Sequence, residues 1–239
     1  MYSMNRKIMS LKVTKYNANE NIFVADEKFV ASEEIFELRL NGEFFRKIFC
    51  SPSDLEDLTV GILAQAEKIF SVEDIAHLEI NDSLIDVVIK PDINPVQIKF
   101  SNDVKFVAKE LLASADKLLG ELSTTHDKTN GVHSGILFDG KKILILREDI
   151  GRHNVLDKIH GAAIREKIFL GDKILIFSGR CSSEMVIKLA NMKIPVVLAK
   201  SVPTTHAINL AKKFDITLAG RLRVDSFCIY TNPQRIVLS

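Results

Sequence analysis

Apolar and polar positions alternate with period two in the first part of this chain; later they form short apolar runs separated by helical spacings. Ile35-Phe-Glu-Leu-Arg-Leu40 alternates, Asn41-Gly42 interrupts and Phe44 to Phe49 resumes, which predicts a hairpin. Ser53-Asp-Leu-Glu56 has capping-box form. A helix is therefore expected from Ser53 to about Phe70, with Leu55, Leu58, Ile62, Ala66 and Ile69 on one face. Ala76 to Ile80 and Leu84 to Lys90 read as a second strand pair around Asn81-Asp82. Residues 1 to about 30 are polar and irregular, with a loop at Asn17 to Asn21. Pro91 and Pro95 mark a boundary, because proline has no N–H for a strand ladder.

Beyond that boundary the rhythm changes. Val107, Leu111, Leu112, Ala115, Leu118 and Leu119 lie at helical spacing within Val104 to about Leu122. Strands are expected at 132–138, 142–147, 173–178 and 195–199, with short ones near 215–218 and 226–231. Helices are expected at 153–166, 182–192 and 204–213. This alternation predicts a layered α/β domain with a mixed sheet over residues 103–239, preceded by a smaller α+β subdomain over residues 1–102. At its centre, Ile174-Leu-Ile-Phe177 is the continuous apolar run of a strand buried on both faces. Ser178-Gly179 ends that strand, and Met185, Val186 and Leu189 carry a helix starting near Cys181 to Ser183.

Polar clusters fall where these strands end, which is where open α/β sheets bind ligands. Thr129-Asn-Gly-Val-His133 offers a close backbone approach at Gly131 and a donor at His133. Arg147-Glu-Asp-Ile-Gly-Arg-His-Asn154 gathers acids, arginines and a histidine around one glycine, more than capping by Asp149 requires. The turn after Phe177 aims free N–H groups at whatever sits above it, and Arg180 and Cys181 add a charge and a thiol. Lys200-Ser-Val-Pro-Thr-Thr-His206 supplies hydroxyls that cap a helix or meet a phosphate. Gly220-Arg-Leu-Arg223 adds two guanidiniums suited to phosphate or guanine. Together they make a cationic rim for a phosphate-bearing ligand. No G-x-G-x-x-G, Walker or G-x-S-x-G motif names a reaction.

Composition narrows the partners. The 239 residues are 46% hydrophobic and 26% charged, ordinary for a globular chain, and the net charge of +1 gives no bulk attraction for nucleic acid or an anionic membrane. No apolar run approaches the roughly 20 residues that span a bilayer. Met1 to Ser10 has no apolar signal-peptide core, so a cytoplasmic location is expected. Cys50, Cys181 and Cys228 are too far apart for a disulfide framework or a short-spaced zinc pair, and no metal site is expected.

With these residues in view the chain resembles the FdhD family, the formate dehydrogenase accessory sulfurtransferases. The matching text is Thr129-Asn-Gly-Val-His133, Arg147-Glu-Asp-Ile-Gly-Arg-His-Asn-Val-Leu-Asp-Lys158 and Ser178-Gly-Arg-Cys-Ser-Ser-Glu-Met185. It continues through Ile194-Pro195, Ser201-Val-Pro203, Thr217-Leu218 and Phe227-Cys-Ile-Tyr230, and more loosely through Leu40-Asn-Gly42, Ser51-Pro52 and Gly61-Ile-Leu63. The resemblance implies a cytidine-deaminase-like α/β fold for the second half, without the deaminase metal site. It implies a sulfur carrier that takes persulfide sulfur from a cysteine desulfurase and passes it to the molybdenum cofactor, bis-molybdopterin guanine dinucleotide, before insertion into formate dehydrogenase. A guanine nucleotide is then a surrogate ligand, and a homodimer is left open.

The residues expected to hold that cofactor are His133, then Asp149, Gly151, Arg152, His153 and Asn154 from the second cluster. Gly179, Arg180 and Ser182 follow from the central turn, Ser201 and Thr204 from the fourth cluster, and Gly220, Arg221, Leu222 and Arg223 from the last. Two features depart from the family pattern. The usual C-x-x-C pair between the halves is missing, since Asn94 to Glu110 holds no cysteine, and Arg221 replaces an aromatic residue after Gly220. A relocated carrier thiol would best be Cys181, whose pKa a helix N-terminus and Arg180 would lower, while Cys50 and Cys228 read as core. The alternative is a cofactor-binding chaperone that has lost sulfur transfer. A hydrolytic deaminase is disfavoured, because His133-Ser-Gly135 lacks an adjacent glutamate and no P-C-x-x-C supplies zinc ligands.

Overall fold

The computed structural model describes residues 7–93, 103–118 and 124–238. Pro95, Leu119 and the cysteine-free stretch 94–102 lie outside the described residues, as does the end of the helix expected to reach Leu122. The chain opens with β1 (Ile8–Asn17) and β2 (Ile22–Ala31), paired as a two-stranded ribbon where the pattern suggested an irregular tail. Much of both its faces is exposed, so its side chains show no inside–outside alternation to read. Lys12 stands opposite Glu27, and Tyr16 opposite Phe23 with ring centroids 5.5 Å apart. Cross-strand pairs of this kind, rather than a buried face, support the ribbon.

β3 (Glu34–Leu40) and β4 (Glu43–Cys50) form the expected hairpin, with Asn41 and Gly42 both at positive φ. α1 (Leu55–Gln65) follows, then the pair β5 (Ile75–Asn81) and β6 (Leu84–Ile89). β6 lies parallel to β3, giving a four-stranded sheet in the order β4-β3-β6-β5. Phe36, Leu38, Ile48, Ile85 and Val87 pack from this sheet onto Leu58, Ile62 and Leu63 of α1. The capping box does not form. Ser53 N–H turns back to the Ser51 carbonyl at 2.7 Å, so the tight exit from β4 puts Asp54 at the helix start in the left-handed region, with no side-chain cap. α1 also ends at Gln65, short of Phe70, and Glu67 just beyond it sits at φ 55°.

The second half starts with β7 (Phe106–Val107), drawn into a parallel bridge rather than the first turn of α2 (Ala108–Lys117). A short helix, α3 (Thr124–Thr129), was not legible in the pattern. Then follow β8 (His133–Phe138), β9 (Ile143–Asp149), α4 (Arg152–Arg165), β10 (Ile174–Phe177) and α5 (Ser183–Met192). β11 (Val196–Ala199), α6 (Thr205–Lys213), β12 (Thr217–Gly220) and β13 (Cys228–Ile229) complete the large sheet, and β14 (Ile236–Val237) pairs with β7.

That sheet has the order β13-β12-β11-β10-β8-β9, with β10, β11 and β12 parallel and β8 and β13 reversed. β9 is antiparallel to β8 and so runs the same way as β10. Both faces are covered, which explains the continuous apolar runs. Ile136, Ile174, Ile176, Val196 and Leu198 pack towards Leu111 and Ala115 of α2. Leu137, Leu175, Phe177 and Val197 pack towards Val155, Ile159, Met185 and Leu189 of α4 and α5. The result is the mixed α/β architecture that the alternation predicted. Among the described residues, no helix is long and apolar enough to cross a membrane.

The two halves meet where α1 crosses α4, backbone on backbone. A Cβ added to Gly61 would lie 1.8 Å from the Asp157 carbonyl oxygen, and one added to Gly161 would lie 1.8 Å from that of Asp57. Neither atom is a flexible side-chain end, so the helices would have to separate. Gly161→Ala should therefore destabilise the protein by about 3 kcal/mol or more, lowering Tm by roughly 6–12 °C. Calorimetry on the variant checks this, and an unchanged Tm would mean that the crossing is looser than described.

Candidate functional site

The strand directions bring one end of β9, β10, β11 and β12 and the opposite end of β8 and β13 to a single edge of the large sheet. His133, the first residue of β8, stands opposite Asp149, the last of β9. Ser134 N–H donates to the Ser178 hydroxyl at 2.8 Å, and Ser178 N–H returns to the Ser134 carbonyl at 2.9 Å. Next along the edge, Lys200 N–H donates to Phe177 O (2.9 Å), Leu222 N–H to Lys200 O (3.0 Å) and Arg221 N–H to Ser201 O (3.3 Å). The turns after β10, β11 and β12 are thus linked neighbour to neighbour by main-chain bonds, and the start of β8 is tied to the turn after β10. This edge carries every cluster that the spacing singled out.

At the β8–β10 end the approach is close. A Cβ on Gly179 would fall 2.5 Å from the Phe177 ring and 3.3 Å from His133 Nδ1, so glycine there lets the turn lie against both rings. Arg152, the first residue of α4, is near enough for its charge to act on both His133 and His153. Burial first, and then the Arg152 guanidinium, hold both imidazoles below the ordinary histidine value. His153 Nε2 lies 3.3 Å from a carboxylate oxygen of Glu184 in the first turn of α5.

Among the described residues, several donors at this edge have nothing to bond. Arg152 Nε and the Ser182 hydroxyl are buried without partners, and the α5 N-terminus has no side-chain cap. Exposed Arg180, Lys200, Arg221 and Arg223 add positive charge. A helix N-terminus, an unpartnered guanidinium nitrogen and surrounding cations suit a phosphate or pyrophosphate. These residues line neither of two cavities elsewhere. One, of about 910 Å³, is bounded by Ser53, Asp57, Arg147 and Arg165, where Asp57 already pairs with both arginines. The other, of about 650 Å³, lies between Ala64, His160 and Leu170. Among the described residues, no His, Cys, Asp or Glu cluster forms a metal-ligand set.

Comparisons with known proteins identify the family. A family model described as the FdhD/NarQ family matches residues 91–237. A Geobacillus kaustophilus protein named Sulfur carrier protein FdhD is 34% identical over 245 residues, covering 90% of this chain and 93% of its own. A protein of the same name from Staphylococcus aureus strain MRSA252 is 32% identical and covers 98% of both chains. The chain belongs to the FdhD/NarQ family. A solved structure from Desulfotalea psychrophila, described as a formate dehydrogenase accessory protein, superposes with a TM-score of 0.86 at 23% identity. It covers 97% of this chain and 100% of its own, and the likeness is one of fold.

Within this FdhD/NarQ fold some candidate side chains face the rim and others face inward. His133, Gly151, Arg152, His153, Gly179, Arg180, Ser182, Ser201, Gly220, Arg221 and Arg223 all lie on the edge. Thr204 spends its hydroxyl on the α6 cap, accepting from Ala207 N–H at 3.3 Å. Leu222 is buried against the α2-side core and offers the edge only backbone. Asp149 is fully buried, and Asn154 turns its amide to Asp149 and to the Phe49 carbonyl, so both act inside the protein.

The cysteines differ most from expectation. Cys181 is 1% exposed, and burial pushes its thiol up to about 12 rather than down. Cys50 is buried, and its thiol is likewise raised to about 12, chiefly by burial and then by the charge of Asp149. Cys228 is exposed, not core, because the short β13 pairs on the sheet's margin. It stands opposite Gly220 on the candidate edge, a position that local apolar spacing around Phe227 and Ile229 concealed.

In the folded protein one thiol should therefore react with a disulfide reagent, and Cys228→Ala should leave none until denaturant is added. Thionitrobenzoate release counts them, and fast native reaction of Cys181 would contradict its burial. For the histidines, Arg152→Ala should raise both imidazole pKa values, since a charge that disfavours imidazolium has gone. Imidazole NMR titration reads this, and an unmoved His133 would separate it from Arg152.

Proposed function

We propose that this protein is a sulfur carrier serving formate dehydrogenase, and that its sheet edge holds the guanine-dinucleotide molybdenum cofactor as cargo. The observation that supports the reading most is the set of unfilled donors at that edge: Arg152 Nε, the Ser182 hydroxyl and the uncapped α5 N-terminus. They fit a pyrophosphate, and Arg221 and Arg223 beside Gly220 fit phosphate or guanine. Burial and Arg152 lower the pKa values of His133 and His153, which favours their supplying hydrogen bonds rather than charge. The relatives named Sulfur carrier protein FdhD lend the sulfur role.

Sulfur arrives by exchange with a cysteine desulfurase. A carrier thiolate attacks the outer sulfur of the desulfurase persulfide, the old S–S bond breaks, and the desulfurase cysteine leaves as thiolate, with no net oxidation. Release of that sulfur as a sulfido ligand takes two electrons from a thiol reductant. Cys228, exposed on the cargo edge, is better placed for the exchange than Cys181, which is protonated and sealed at neutral pH. A second reading has a specific observation behind it. With no cysteine from Asn94 to Glu110 and Cys181 buried, the protein would be a cofactor-binding chaperone without sulfur transfer.

Incubation with a desulfurase and cysteine should add one sulfur mass, and Cys228→Ala should abolish the gain while Cys181→Ala keeps it. Mass spectrometry of the intact protein decides. Loss in Cys181→Ala instead would move the carrier to the central turn, and no gain on any cysteine would leave the chaperone reading. Binding of GDP, weakened about tenfold or more in Arg152→Ala, checks the cargo site by calorimetry.

A further inference from the structure

Asp149 and Lys158 are both 0% exposed, and Lys158 Nζ lies 2.7 Å from Asp149 Oδ2. The same carboxylate oxygen accepts Ser51 N–H at 3.1 Å, while Oδ1 accepts Gly151 N–H and Asn154 Nδ2, each at 2.8 Å. Lys158 completes its own bonding on the carbonyls of Ser51 (3.3 Å) and Glu148 (3.2 Å). Ser51 closes the circuit, its hydroxyl accepting Ile150 N–H at 3.2 Å. The Asn154 amide also reaches Phe49 O at 2.8 Å. The turn from Asp149 to Asn154, which launches Arg152 and His153, is therefore held from below by the end of β4, residues distant in sequence and outside the rim.

We infer that Ser51 and Lys158 are positioning residues, which fix through Asp149 the backbone that aims Arg152 at a bound phosphate. The inference rests on the reading of this edge as a phosphate site. Lys158 has no free donor for a ligand, and Ser51 is 4% exposed, so neither touches cargo. Their bonds leave Arg152 Nε as the one side-chain polar atom of the turn that is buried and unpartnered among the described residues. A rigid turn with a single unfilled donor is preorganised for an acceptor.

Ser51→Ala removes one acceptor and leaves the buried charges intact. GDP affinity should fall about tenfold, with the circular dichroism of the folded protein retained. In an Arg152→Ala background the same substitution should cost nothing further, because its effect runs through Arg152. Lys158→Met combined with Asp149→Asn, which neutralises both partners together, should weaken GDP in the same non-additive way. Unchanged affinity in folded Ser51→Ala, or an equal loss with and without Arg152, would overturn the inference. If the wild type binds no GDP, the phosphate-site reading fails instead. The positioning role is then judged by amide hydrogen exchange at residues 149–154, which should quicken in Ser51→Ala and would refute it by staying unchanged.

Discussion

A carboxylate and an ammonium removed wholly from water each lose several kcal/mol of solvation, which their mutual attraction restores only with fixed geometry and filled hydrogen bonds. Asp149 and Lys158 are such a pair, and every bond they need comes from backbone or amide groups of two distant segments. The pair therefore does more than fill space. It locks the exit of β9 to the exit of β4, and the site's first arginine stands three residues from that lock.

From this anchor the rest of the edge follows by main-chain continuity. β8 and β10 bond at Ser134 and Ser178, and the turns after β10, β11 and β12 are linked through Lys200, Ser201, Arg221 and Leu222. Charge on the whole chain is nearly balanced, yet the rim gathers Arg152, Arg180, Lys200, Arg221 and Arg223 with few acids among them. The field that a phosphate would meet is set by placement, not by net charge.

The thiol chemistry turns on relative magnitude. A helix N-terminus is worth about 0.3–1 kcal/mol to an exposed negative charge, less than one pKa unit. Burial at Cys181 moves the thiol from 9.0 to about 12, in the other direction and by more. Exposed Arg180 does not reverse that balance. Motif position alone suggested a reactive residue, and packing against Leu175, Phe177 and Met185 withholds it.

Local pattern determined most elements directly. Ile174 to Phe177 had to be a doubly buried strand because all its side chains are apolar, and Asn41-Gly42 had to turn because both residues tolerate positive φ. The motifs around His133, Arg152, Gly179 and Gly220 were likewise visible as polar text at strand ends. Tertiary structure decided what spacing cannot carry. It set which strands neighbour one another, so that β3 meets β6 and β10 meets β8. It set which side chains of a motif face in, as Asp149, Asn154 and Leu222 do. It also set which cysteine meets water. Periodicity reports the environment of a face, whereas partners and exposure depend on segments that approach only when the chain is folded.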